Sequence, residues 1–178
     1  MIFECTEVAS PVGDLAIAVA NQRLVALCFD GIWERRVRLL ERRFPGARFE
    51  TVQDPSGVAT RLARYFEGDL EALAPIDVEC WGTPFQQSVW AELRRIPVGQ
   101  TRSYGDIARA IGEPGAMRAV GTANGANPVA IVVPCHRVIG SDGSLTGFGG
   151  GLPNKKWLLE HEGAQLSVFP AERKRTAA

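Results

Sequence analysis

The chain has 178 residues, 46% of them hydrophobic and 22% charged, with 20 Lys+Arg set against 20 Asp+Glu. That length can bury one core or two small ones, and the composition is that of an ordinary soluble protein. No apolar run approaches bilayer-spanning length and MIFECTEVASPVG lacks the basic-then-apolar layout of a signal peptide, so a cytoplasmic protein with no membrane partner is expected.

In chain order, apolar runs at Ile2 to Val8, Leu15 to Ala20 and Leu24 to Phe29, the last two separated by Asn21-Gln22, predict antiparallel strands. Trp33, Val37, Leu40 and Phe44 recur at helical spacing through GIWERRVRLLERRF, so its arginines are expected on the wet face. A short strand over Ala47 to Val52 and a helix from about Ser56 to Gly68 follow. The stretch from Gly68 to Gly82 reads as a linker with one strand near Ile76 to Val78, and this first half offers no catalytic constellation.

The second half opens at Thr83-Pro84-Phe85-Gln86, whose cap, N1 proline and third-position glutamine announce a helix. Another helix starts at Ser103 with Asp106 placed for a capping box and stops at Gly112; a third follows Glu113-Pro114-Gly115. The third is rich in small residues (Ala116, Ala119, Gly121, Ala123) and carries Arg118, the outline of a helix-turn-helix. Asn127-Pro128 ends it, and Val129 to Val133 read as a buried strand that delivers Cys135. Residues 1–82 hold 9 Lys+Arg against 13 Asp+Glu and residues 83–178 hold 11 against 7. The second half therefore leans toward an anionic partner, with a solvated surface as the competing reading.

The four cysteines, Cys5, Cys28, Cys80 and Cys135, stand singly without a CxxC pair and are expected as free thiols. Cys5 and Cys28 with a histidine could form a zinc site; burial as small apolar residues is the rival reading for these two and for Cys80. Cys135 differs because His136 and Arg137 follow it: a thiol titrating near ~8.5 needs a base or a positive charge to act as a nucleophile. Neighbouring residues point in different directions, so His136 would reach the thiol through water and need an acid, Glu162 or Glu160, to orient it. A cysteine hydrolase would want a separate histidine, for which His161 is the sole candidate.

From Gly82 to Gly163 the chain resembles the O6-alkylguanine-DNA alkyltransferases, in PCHRV, in GTPFQQSVW, in the Ser103-Tyr104 helix start, in RAVGTANGANP and in GGGLPNKKWLLEHEG. The first half fits that family's small N-terminal domain, including the SPVG turn at Ser10 to Gly13. The resemblance implies an α/β, ribonuclease-H-like N-terminal domain over 1–82, opening with a small antiparallel sheet. It also implies a mostly α, winged-helix-like domain with the helix-turn-helix over 83–165, and a disordered basic tail over 166–178. It implies a methylated-DNA–protein-cysteine S-methyltransferase: a monomer that flips O6-alkylguanine out of double-stranded DNA and transfers the alkyl group irreversibly, once, to its own cysteine, with no cofactor.

Under that resemblance Cys135 is the nucleophile, His136 its water-linked base, Glu162 the orienting carboxylate, and Tyr104 the proton donor to the leaving guanine. Asn127 ties the third helix to the active-site strand. Arg118 fills the gap in the duplex, the carbonyls of Cys135 and Val138 read guanine's amino group, and Ser103, Ala119, Phe148 and Gly149 complete the DNA and substrate contacts. Two departures stand out. Ala20 sits where some members carry a second zinc-binding cysteine, so no metal is expected beside Cys5. The lid Gly147-Phe148-Gly149-Gly150-Gly151 lacks two hydroxyls that mammalian members have, which implies a roomier, more mobile pocket. The alternatives are a module that recognises alkylguanine in DNA without transfer, against which Cys135 argues, and a cysteine hydrolase.

Overall fold

The computed structural model describes residues 1–165, so the basic tail lies outside the described residues. Three strands, β1 (Ile2–Val8), β2 (Leu15–Ala20) and β3 (Arg23–Phe29), form an antiparallel meander. Asn21 and Gln22 both take positive φ (50° and 63°), the tight turn that suits a two-residue hairpin. After α1 (Trp33–Arg43), β4 (Arg48–Thr51) returns parallel to β1, giving the order β3-β2-β1-β4.

All six residues of β2 are buried, which places the sheet between two cores. On one face Phe3, Val25 and Leu40 gather with Trp33 of α1 and with Phe44, the residue that caps its C-terminus. On the other, Ile17 and Leu27 pack with Leu62 and Tyr65 of α2 (Val58–Phe66), Val89 and Leu93 of α3 (Pro84–Leu93), and Leu158 of α6 (Leu152–His161). This second core runs without a break from the first half of the chain into the second. The stretch read as a linker belongs to it: Ala72, Leu73 and Ile76 are buried, and Val78 bridges Leu24 on the open edge of β3.

Both expected capping boxes form. Thr83 accepts from the amide of Gln86 and Gln86 accepts from that of Thr83, opening α3; Ser103 and Asp106 do the same for α4 (Tyr104–Ala110). A turn at 111–116 leads to α5 (Met117–Gly125), which packs against α4 and α3. A two-strand parallel ladder, β5 (Arg102–Ser103) with β6 (Val138–Ile139), ties the start of α4 to the segment after Cys135.

The strand expected over Val129 to Val133 does not form. Val129 makes one parallel bridge to Leu27, flanked by Leu27 N–H to Pro128 O (3.0 Å) and Ala130 N–H to Leu27 O (2.8 Å). The chain then coils: Ile131 has φ +70°, and Val133 N–H returns to Val129 O at 2.9 Å. A continuous apolar run reports burial without reporting pairing, and here the burial belongs to a turn pressed into the core. The turn bends the chain so that Cys135 emerges as the first residue of a short 3-10 segment, Cys135–Arg137.

Candidate active site

His136, Arg137 and Glu162 form a buried charged cluster at the foot of α6. His136 Nε2 lies 2.9 Å from Glu162 Oε1; a carboxylate with two cationic hydrogen bonds accepts only, so the imidazole proton sits on Nε2 and leaves Nδ1 as a lone pair. Arg137 donates through Nε to Oε2 and through Nη2 to Oε1, each at 2.8 Å, and through Nη1 to the Ile96 carbonyl at 2.6 Å. Burial alone would push the Glu162 carboxyl up, but the hydrogen bonds from Arg137 and His136 outweigh it and hold the carboxyl well below the usual carboxylate range. Burial pushes the His136 pKa down against the pull of Glu162, so the ring rests neutral at pH 7.

Cys135 is buried at the head of this cluster. Burial pushes its thiol up, opposed by a hydrogen bond from the Asn127 side chain, the charge of Lys155 and nearby backbone amides, so the resting side chain is the thiol. His136 Nδ1 is buried and, among the described residues, unpartnered. It is a free acceptor on a ring whose protonated form the adjacent Glu162 carboxylate would favour.

Asn127 holds the turn that presents the thiol: Oδ1 accepts from Val129 N–H at 3.0 Å and Nδ2 donates to Val133 O at 2.8 Å. Tyr104, the first residue of α4, is half-buried, and its hydroxyl accepts from Thr146 Oγ1 at 3.1 Å. Ser103, Tyr104, Met117, Arg118, Thr146 and Phe148 are among the residues lining an open cleft of about 830 Å³. Arg118 and Ala119 are exposed on α5. A smaller cavity of about 60 Å³ lies behind, against Cys135, and Gly125, Gly147, Phe148 and Gly149 border both.

Sequence reasoning missed three contributors. Lys155, fully buried on α6, donates through Nζ to the Val138 carbonyl (2.6 Å) and the Thr146 carbonyl (2.7 Å), tying the segment after Cys135 to the loop before Gly147. Burial lowers its pKa to about 8, a shift that Cys135 opposes only in its thiolate form. Its signal was available, since Lys155 shares a helix face with Leu158 and Leu159. Tyr65 comes from the half of the chain that offered no catalytic residue, and its hydroxyl donates to Glu162 Oε1 at 2.7 Å. Arg36 is not on the wet face of α1: Nη2 reaches the Asn127 carbonyl at 3.5 Å, and Nε is buried. Conversely, Glu160 is exposed beside Lys156, while His161 stacks on Trp157 and its Nε2 donates to the Tyr65 carbonyl at 2.7 Å, so neither serves Cys135.

Gly149 and Gly150 of the lid answer to close packing, whereas Gly147 faces open space. A Cβ on Gly150 would lie 2.7 Å from the Phe29 ring, and one on Gly149 would lie 3.3 Å from Ile32 Cδ1. Phe148 stacks edge-on against Phe29 at 5.3 Å between centroids. The other cysteines are poor nucleophiles, because burial pushes each of Cys5, Cys28 and Cys80 to about 11.

Comparison with known proteins follows the same geometry. Residues 84–164 match the profile of the 6-O-methylguanine DNA methyltransferase DNA-binding domain. A methylated-DNA–protein-cysteine methyltransferase of Salmonella typhimurium is 46% identical over 163 residues, covering 90% of this chain and 95% of that protein. The protein of that name from Mycobacterium tuberculosis is 47% identical over 167 residues, covering 90% and 94%. The crystal structure of the M. tuberculosis O6-methylguanine methyltransferase superposes with a TM-score of 0.76 at 41% identity, over 90% of this chain and 93% of that one. The M. tuberculosis protein in complex with DNA gives 0.74 at 40%, over 92% and 93%.

Proposed function

The chain belongs to the methylated-DNA–protein-cysteine methyltransferase family, and on that premise we propose how its residues carry out the transfer. The protein repairs DNA by moving an alkyl group from a damaged base to its own cysteine. The observation that carries the assignment is the buried Cys135 behind an open cleft, beside a neutral His136 locked to Glu162.

The O6-alkylguanine swings out of the double helix into the cleft lined by Tyr104 and Phe148, and Arg118 on α5 takes its place in the stack. Backbone carbonyls at Cys135 and Val138 accept from the guanine amino group, the latter held by Lys155. The small side chains around Ala119 allow α5 close approach to the groove, and Ser103 fixes the start of α4. Cys135 passes its proton through water to His136 Nδ1, and the thiolate attacks the alkyl carbon. An S–C bond forms, the C–O6 bond breaks, and the electron pair leaves on the purine, which takes a proton from Tyr104. The thioether is a dead end, so each molecule reacts once. The protein acts as a monomer in the cytoplasm, with a ribonuclease-H-like domain over 1–82 supporting a winged-helix-like alkyltransferase domain over 83–165. Among the described residues no helix is long and apolar enough to cross a membrane.

Incubation with duplex DNA carrying O6-[methyl-³H]methylguanine tests the reading. One equivalent of label on the Cys135 peptide is expected. Retention of DNA without label would mean a recognition module, and release of a small product would mean hydrolysis.

Arg118→Ala is expected to slow transfer from duplex DNA by about tenfold or more, because unstacking a base costs a few kcal/mol and the wedge offsets part of it. Free O6-benzylguanine needs no flipping and should react at nearly the wild-type rate. Equal losses on both substrates in stopped-flow assays would place Arg118 in the pocket instead.

Tyr65→Phe removes a neutral donor from a charged acceptor and is expected to cost about 1.5–3 kcal/mol in urea unfolding. Because Tyr65 holds Glu162, which serves every substrate, free base and duplex should slow by the same factor. A slowing confined to the duplex would separate Tyr65 from the relay.

A further inference from the structure

Among the described residues three buried side-chain polar atoms have no hydrogen-bond partner: His136 Nδ1, Asn124 Oδ1 and Arg36 Nε. The first is the proton acceptor of the relay. The other two belong to residues that line the same small cavity, about 60 Å³, whose wall includes Cys135 and Phe148.

The amide orientation of Asn124 follows from its neighbour. Nδ2 faces the Cys135 carbonyl at 3.4 Å, and a carbonyl only accepts, so nitrogen must take that side and Oδ1 the other. Asn124 is 4% exposed, which leaves Oδ1 a desolvated acceptor without a donor. Arg36 presents the converse, a desolvated N–H without an acceptor, brought in from α1 by its reach toward the Asn127 carbonyl. Each stranded group costs about 1–3 kcal/mol unless something satisfies it.

A ligand group that satisfies both must donate to one and accept from the other. A plain alkyl chain does neither. A carboxylate suits Arg36 and is repelled by the Asn124 oxygen. A hydroxyl does both at once. Neither Asn124 nor Arg36 lines the larger cleft in which the purine sits, so the group they meet is the substituent beyond O6.

We propose that this cavity is a subsite for a hydroxylated O6 substituent, selecting 2-hydroxyethyl over an alkyl group of the same size through Asn124 and Arg36. The proposal rests on the alkyl-transfer reading above. The chemistry is that transfer: Sγ bonds to the first carbon of the substituent, the bond to O6 breaks, the thiol proton is balanced by the proton taken up by guanine, and the hydroxyl is carried across unchanged. The product is S-(2-hydroxyethyl)cysteine at position 135.

The test is the ratio of single-turnover rates for O6-(2-hydroxyethyl)guanine and O6-propylguanine in one duplex sequence, for wild type, Asn124→Leu and Arg36→Met. Intrinsic reactivity and any general loss of activity cancel when the ratios are compared. Loss of one hydrogen bond should lower the ratio about five- to tenfold in each variant. Asn124→Ala replaces Asn124→Leu if the larger side chain does not fold. Ratios equal to wild type in both positions would mean that bound water serves the two atoms, and would overturn the subsite. O6-methylguanine in the same duplex is the control: if wild type fails to accept its methyl group, the transfer reading itself has failed.

Discussion

Cys135→Ala is expected to abolish transfer completely while leaving duplex affinity within about threefold, since DNA binding draws on phosphate contacts and Arg118 and not on the sulfur. No other thiol can substitute. With pKa values near 11, Cys5, Cys28 and Cys80 hold about three parts in ten thousand as thiolate at pH 7.5, and none has the His136–Glu162 pair beside it. Cys135 is itself pushed up by burial, so its reactivity is conditional. On the proposed mechanism it is a protonated thiol at rest and becomes a nucleophile once a substrate occupies the cleft and the proton can pass to His136. This arrangement shields the thiol from indiscriminate reaction. The measurement is filter binding for affinity beside peptide mass mapping of label. Methyl on Cys5, Cys28 or Cys80 with Cys135 unmodified would remove Cys135 from the mechanism.

Much of this site was legible before any coordinates because its parts are local in the chain. The capping boxes at Thr83 and Ser103 rest on residues three apart, and both formed. Cys135, His136 and Arg137 are consecutive, and the family motif holds their partners in order. What sequence reading could not reach are contacts made across the fold. Tyr65 meets Glu162 from 97 positions away, and nothing in VATRLARYF distinguishes a tyrosine buried for its ring from one buried for its hydroxyl. Arg36 lies among five arginines of α1, and the helical period places it ambiguously; only the approach of Asn127 turns it inward. The Val129 to Val133 run failed for a different reason. Periodicity cannot tell a buried strand from a buried turn when every residue is apolar, and the left-handed Ile131 goes against the β-branched preference that would have flagged the turn.

Glu162→Gln should be the most damaging change to stability, about 3–5 kcal/mol, because it leaves the Arg137 guanidinium buried against an amide that can neutralise nothing. The glutamine keeps one carbonyl oxygen for the three donors that meet at Oε1, but its NH2 then faces Arg137 Nε in place of Oε2, so one donor meets another. The pH profile carries the signature. Glu162 has a folded pKa held below its unfolded value of about 4.3, so its contribution is present above that pH and is lost as pH falls toward the folded value. His136 is also depressed when folded. Below its unfolded pKa of about 6.5 the unfolded chain binds the proton first, and stability erodes from there downward. Wild type should therefore weaken in two stages on acidification, one beginning near pH 6.5 and one near pH 4.3. In Glu162→Gln the second stage should shrink toward the background of the other carboxylates. Transfer by the folded fraction should drop about a hundredfold or more, since the imidazole loses the negative charge that stabilises its protonated form. Urea unfolding from pH 4 to 8, with single-turnover rates on free O6-benzylguanine, measures both effects. A loss under about 1 kcal/mol with an unchanged rate would show that water can stand in for the carboxylate, and would take Glu162 out of the relay.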